Sequence, residues 1–165
     1  MAIGGLGCVY LSQRTLHTPT PLSRGENIEN MNDCIFCKII KGEIPSYKVY
    51  EDESVLAFLD IAPVNYGHTL VIPRSHYKNL EEIPEEILAK VIMAVKKVGK
   101  SIKDGLDVQG YNVGLNNDPI SGQVVPHLHF HVMPRNESDG FKLWEGGRYG
   151  DGEAEEVLEK ITRNY

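Results

Sequence analysis

The stretch VVPHLHFHVMPR, residues 124–135, sets three of the chain's six histidines on alternate positions. Side chains on a β-strand alternate between its two faces. A strand here therefore puts His127, His129 and His131 on one face and Leu128, Phe130 and Val132 on the other. The apolar set supplies a core, and the imidazoles face water or a site. Alternate Cα atoms lie ~6.6–6.8 Å apart, so the outer pair is ~13 Å apart. One ion with ligands at ~2.0–2.1 Å does not easily span all three. Either an adjacent pair holds a metal or the three divide their roles.

Working outward, the preceding segment GYNVGLNN reads as a strand and DPISGQ as a turn-rich loop. Further upstream, the clearest helix follows Pro84, with Glu85 and Glu86 near the positive end of its dipole. Ile87, Leu88, Val91, Ile92, Val95, Val98 and Ile102 recur at helical spacing, and Gly105 is the expected stop. YKVYED, SVLAFLDI and HTLVIP read as strands, CIFCKIIKGEIPS as a short helix closed by Gly42 and Pro45, and EAEEVLEKITRN as a second short helix. Strands flanking one long helix through short connections indicate an α+β fold with a largely antiparallel sheet. Residues 1–30 carry no acid through Gly25 and read as a disordered extension, with organellar targeting as the alternative. The main domain is expected over 31–140 and a tail over 141–165.

Composition narrows the function. The chain has 165 residues, 41% apolar and 24% charged, with a net charge of −6. That balance argues against a nucleic-acid groove, which needs a basic surface. No apolar run approaches the ~18–20 residues of a membrane helix. Three cysteines are too few for a disulfide framework, which suits a reducing, cytoplasmic setting. Cys8 and His17 have no partner pattern. Cys34 and Cys37 form a C-x-x-C, a spacing that chelates Zn²⁺ and leaves two further ligands to be found. Histidines would complete such a site, but spacing alone does not say which.

At this point the chain resembles the histidine triad (HIT) family of nucleotide hydrolases and transferases. HLHFHVM matches its alternating signature, CIFCKIIKGEIPSYKVYEDESVLAFLDIAPVNYGHTLVIPRSH resembles its first half, and GYNVGLNNDPISGQVVPHLHFH its second. The resemblance covers roughly residues 33–135, and FKLWEGG in the tail is similar to bacterial-type members. It implies a HIT-like fold: a five-stranded antiparallel sheet with one long helix and short flanking helices. It implies hydrolysis of nucleotide conjugates, either nucleoside phosphoramidates or dinucleoside polyphosphates. His129 would be the nucleophile and His131 a contact to the phosphate. Asn116, Gly122, Gln123 and Val124 would form the phosphate loop, with Gln123 and Val124 contributing main chain. Asp60 would bind ribose, Ile35, Phe36, Phe58 and Ile61 would wall the base pocket, and His68 would lie near the site. A Cys₂His₂ arrangement would make Cys34, Cys37, His76 and His127 the ligands of a structural zinc.

One departure stands out. Many phosphoramidase members carry Ser or Thr where this chain has Val124, which shifts weight toward substrates with better leaving groups, such as dinucleoside polyphosphates or acyl-adenylates. The resemblance also implies a homodimer acting on a small purine nucleotide such as an AMP conjugate. The rival readings are a zinc hydrolase using the H-x-H strand for a catalytic metal, and a nucleotide-binding or interaction module without turnover.

Overall fold

The computed structural model describes residues 33–137, 139–142, 144–163 and 165. The expectations for residues 1–30, including Cys8 and His17, lie outside these. Five strands form one antiparallel sheet: β1 (Lys48–Glu51), β2 (Val55–Leu59), β3 (Thr69–Pro73), β4 (Gly110–Leu115) and β5 (Phe130–Arg135), in the order β1-β2-β3-β5-β4. Helix α1 (Ile35–Lys41) precedes the sheet, α2 (Glu85–Leu106) links β3 to β4, and α3 (Glu153–Thr162) lies in the tail. The arrangement is the α+β, HIT-like fold that the sequence implies. No helix among the described residues is long and apolar enough to cross a membrane.

Two apolar layers flank the sheet. On one side Val91, Val95, Val98 and Ile102 of α2 meet Val55, Ala57, Val71, Leu128, Phe130 and Val132. On the other, Phe36 and Ile39 of α1 meet Leu56, Phe58, Leu70 and Ile72. The strands alternate between these layers, so β2 and β3 are buried on both faces. Register places Phe58 opposite Leu70, Leu70 opposite His131, and His131 opposite Gly114. The histidine face thus belongs to the α1 layer.

Several local expectations need correction. The last strand starts at Phe130, so His127 and His129 precede it in an extended segment. Their alternation survives, because Leu128 donates its N–H to the Tyr77 carbonyl and stays in the core. His127 and His129 do not face open water; they are buried beneath α1. Helix α2 runs through Gly105 to Leu106 and is capped by Asp107, whose φ of 51° is left-handed. Asp tolerates that conformation, and Gly105 there keeps helical geometry. Ile92 is 45% exposed, since it sits about 100° around the helix from the buried Val91. Gly42 caps α1 at φ 78°, as a C-terminal glycine does.

Candidate functional site

The α1 face of the sheet opens into a cleft of about 750 Å³. Phe36, Phe58, Asp60, Asn116, His129 and His131 are among the residues that line it. His129 is held from two sides. Its Nδ1 lies 2.7 Å from the carbonyl oxygen of His127. A carbonyl only accepts, so Nδ1 carries the proton and Nε2 keeps a lone pair. The edge of Phe36 packs on the ring, with centroids 5.2 Å apart. Burial holds the His129 pKa below the ordinary imidazole value, with the hydrogen bond to the His127 carbonyl opposing it.

A chain of polar side chains stands beside it. His131 Nδ1 lies 2.9 Å from His68 Nε2, and His68 Nδ1 lies 3.3 Å from Asp60 Oδ2. Asp60 Oδ1 also accepts from the Ala62 N–H at 2.9 Å. Burial, then repulsion from His129 and His68, lowers the His131 pKa to about 4 against the pull of Asp60. Burial likewise lowers that of His68, with Asp60 opposing and His129 assisting. Neutral imidazoles therefore face the cleft near neutral pH.

The loop entering the histidine segment is braced by its own amides. Asn116 Nδ2 donates to the Gly122 carbonyl at 3.2 Å. Gly122 has φ 97°, and a Cβ there would press on Asn116 Nδ2, so the turn favours glycine. The Gln123 side chain is buried, accepts from the Asp118 N–H at 2.8 Å and donates to the Lys78 carbonyl at 2.6 Å. It props the loop from behind, which leaves only the main chain of Gln123 for the expected phosphate contact. Ile35, Ile61 and Val124 do line it, and all three are exposed at its mouth. His68 lies behind the wall and reaches the cleft only through His131 and Asp60. Tyr47, Ala62 and Val125 also line the cleft. All three lie outside the strands and helices, so they carry no periodic signal by which the sequence could have revealed them.

A second cluster lies behind the cleft wall. Cys34, Cys37, His76 and His127 are all buried, with one donor atom from each within 4.8 Å of the others. His127 Nε2 donates to the Pro73 carbonyl at 2.9 Å, so its Nδ1 presents a lone pair to the two sulfurs, 3.5 and 3.6 Å away. His76 Nδ1 lies 3.4 Å from Cys37 Sγ. Tetrahedral Zn²⁺ with bonds of ~2.3 Å to sulfur and ~2.0–2.1 Å to nitrogen has S···N edges of ~3.5–3.6 Å. The observed separations fit such an ion. Burial opposes ionisation of the Cys34 thiol, but the neighbouring His127 and His76 rings prevail and lower its pKa to about 5. Thiolate and lone pairs converging on one buried point call for a cation. None of the four lines the cleft.

A domain model described as "HIT domain" matches residues 41–138. An uncharacterised HIT-like protein of Methanocaldococcus jannaschii is 50% identical over 128 residues, spanning 78% of this chain and 98% of its own. An adenosine 5'-monophosphoramidase of Schizosaccharomyces pombe is 48% identical over 131 residues, 78% of this chain and 96% of its own. The crystal structure of a HIT family member from Bacillus subtilis superposes with a TM-score of 0.75 at 42% identity, covering 81% of this chain and 97% of that one. A Zn-bound histidine triad protein from Mycobacterium smegmatis gives 0.65 at 30% identity, covering 82% and 99%. A domain match over more than half of the sequence, with relatives this similar along nearly their whole length, makes this chain a member of the HIT domain family.

Proposed function

We propose that the protein hydrolyses nucleotide conjugates through a covalent nucleotidyl-histidine on His129, releasing a nucleoside monophosphate. The observation that carries this is the His129 tautomer: Nδ1–H is committed to the His127 carbonyl, which leaves Nε2 a neutral lone pair on the cleft. Nε2 attacks the α-phosphorus, an N–P bond forms, and the bond from phosphorus to the leaving group breaks. Water then attacks the same phosphorus and returns the electron pair to Nε2. Two modest displacements replace one difficult one. His131 faces the negative charge that develops on the phosphate oxygens. Asn116, Gly122 and the main chain of Gln123 and Val124 would orient the phosphate. Asp60 would take the ribose hydroxyls, and Ile35, Phe36, Phe58 and Ile61 would hold a purine. The relatives named as adenosine 5'-monophosphoramidases support the adenosine and hydrolase parts of this reading.

The cleft also discriminates by charge. None of the described residues lining it is Lys or Arg, and Asp60 adds a negative charge. A polyphosphate chain would meet no side-chain cation there, whereas a conjugate with one phosphate charge asks for only a few donors. This favours phosphoramidates and acyl-adenylates over dinucleoside polyphosphates. Val124, 89% exposed at the mouth, has no hydroxyl to assist a departing amine.

Cys34, Cys37, His76 and His127 would hold a structural zinc. Bound there, the ion would tie α1 to the histidine segment and leave no open position for water. The location of these residues outside the cleft favours this over a catalytic metal. We also propose that the protein works as a homodimer, as the resemblance implies; sedimentation of the purified chain at twice its monomer mass is the expected result.

Turnover of adenosine phosphoramidate and of diadenosine tetraphosphate, compared for wild type and His129→Ala, tests the reaction. Loss of release in the variant is expected, and turnover equal to wild type would overturn the assignment.

A further inference from the structure

Asp118 has φ 70° and ψ 158°, a region of backbone space that glycine enters freely and a β-carbon opposes. Such a conformation persists only where its neighbours over-determine it, and here they do. The Asp118 N–H donates to Gln123 Oε1 at 2.8 Å. The Asp118 carbonyl accepts from the Ser121 N–H at 3.1 Å, from Ser121 Oγ at 2.8 Å and from the Gln123 N–H at 3.4 Å. Pro119 follows, and a proline keeps the residue before it out of the helical region. A glycine would make the same turn with less strain, so what the aspartate adds is its side chain. Its Oδ1 accepts from Asn79 Nδ2 at 3.0 Å.

Asn79 belongs to a segment, residues 76–82, that reaches three parts of the site. His76 at its start faces Cys37. The Tyr77 carbonyl accepts the Leu128 N–H at 2.6 Å, between His127 and His129. The remainder is laced to the loop that enters the histidine segment. The Lys78 carbonyl accepts from the Gln123 amide, the Leu80 N–H donates to Asn117 Oδ1 at 2.8 Å, and Glu81 accepts from Asn117 Nδ2 at 2.9 Å. The segment that carries His129 and the loop are therefore both referenced to one stretch of chain. Asn117 and Gln123 fasten the two sides of the loop, and the Asp118–Asn79 bond fastens the turn between them. Past that turn Val124 lines the cleft, and its N–H meets no acceptor among the described residues.

We infer that Asp118 and Asn79 are a pair of positioning residues: their hydrogen bond holds the strained turn of the loop and so fixes the Val124 N–H relative to His129. This rests on the nucleotide reading above and adds to it the pair that places the phosphate for attack. Neither side chain lines the cleft, so the pair acts through the main chain of the loop. In-line attack by His129 Nε2 requires the phosphorus to be held in place, and a misplacement of ~1 Å lowers such a rate by about 10²-fold. Without the Asn79 bond, Asn117 and Gln123 still fasten the loop. The protein then folds, and the direction of the chain through the turn is no longer fixed.

Three variants of the full chain test this on adenosine phosphoramidate. Asp118→Gly relieves the strain and deletes the side chain, whereas Asn79→Ala breaks the same bond and leaves the backbone residue in place. Each should lower kcat by about 10-fold to 10²-fold with KM nearly unchanged. The double variant should be no slower than the slower single one, because both changes remove one interaction. Asp118→Asn keeps the acceptor and tolerates a positive φ, so it should retain the wild-type kcat. The Tm of Asp118→Gly should stay at or above that of wild type, a combination that a merely structural role would not give. In nitrogen–proton NMR, AMP should shift the Val124 amide in wild type and Asp118→Asn, and far less in Asp118→Gly at the same saturation. Wild-type kcat in Asp118→Gly, a loss that tracks a fall in Tm, or losses that multiply in the double variant would overturn the pairing and leave the nucleotide reading intact. So would AMP that binds the wild-type cleft without moving the Val124 amide. AMP that perturbs no cleft residue would overturn that reading and the pairing together.

Discussion

His127 and His129 are joined through the main chain: the carbonyl oxygen of His127 accepts Nδ1–H of His129 at 2.7 Å. The ring of His127 is itself fixed by the Pro73 carbonyl and aimed at Cys34 and Cys37. One residue thus faces the sulfur cluster with its side chain and orients its neighbour with its backbone. Anything that loosens His127 should reach His129.

Loss of metal tests that linkage. We expect purified protein to carry about one zinc per chain, as a closed four-ligand site does. Cys37→Ser should abolish this and lower Tm by roughly 5 °C or more, since metal bound only in the folded state adds to folding stability. Elemental analysis and calorimetry check both. An unchanged Tm with no zinc in either protein would count against the metal site.

The acid response follows from His131. Burial, together with His129 and His68, lowers its folded pKa to about 4, whereas an unfolded histidine titrates near ~6.5. Between those values the unfolded chain binds more protons, so stability rises with pH across that window. The contribution is complete above pH ~6.5 and is lost as pH falls through the folded value. Denaturant unfolding from pH 8 to pH 4 should therefore show a smaller loss in His131→Asn than in wild type. Equal losses would contradict a neutral, half-buried His131.

Leaving-group assistance is testable at Val124. Its exposure at the mouth of the cleft leaves space for a hydroxyl. Val124→Ser should raise kcat/KM on adenosine phosphoramidate by about tenfold, one modest hydrogen bond in the transition state, and leave an acyl-adenylate nearly unaffected. A parallel gain on both substrates would show that the residue acts on binding alone.

Gln123 should behave as a brace. Gln123→Ala removes the side-chain bonds to Asp118 and Lys78 and should cost about 1–3 kcal/mol through partners left unpaired. Thermal unfolding measures this. A variant with wild-type stability but no turnover would instead place Gln123 in direct contact with substrate.

The parts of the structure governed by local periodicity were readable from sequence. Alternation gave the opposite faces of Leu128 and His129, and helical spacing gave Val91, Val95, Val98 and Ile102. Residues whose partners are distant in sequence were not readable in the same way. C-x-x-C identified two sulfurs, but the approach of His76 and His127 depends on contacts spanning 39 and 90 residues. Gln123 looked like loop main chain because its bond to Lys78 spans 45 residues. The position of His68 behind His131 follows from the register that sets Leu70 opposite His131, which no local pattern encodes. Gly105 marked the end of the long helix to within one residue, but the left-handed cap itself falls on Asp107.

The most direct test of the central claim is to quench wild-type protein during turnover of adenosine phosphoramidate and map the adduct by mass spectrometry. An AMP moiety on His129, absent in His129→Ala, is the expected result. Rapid turnover with no nucleotidylated histidine at any quench time, or an adduct on another residue, would contradict it.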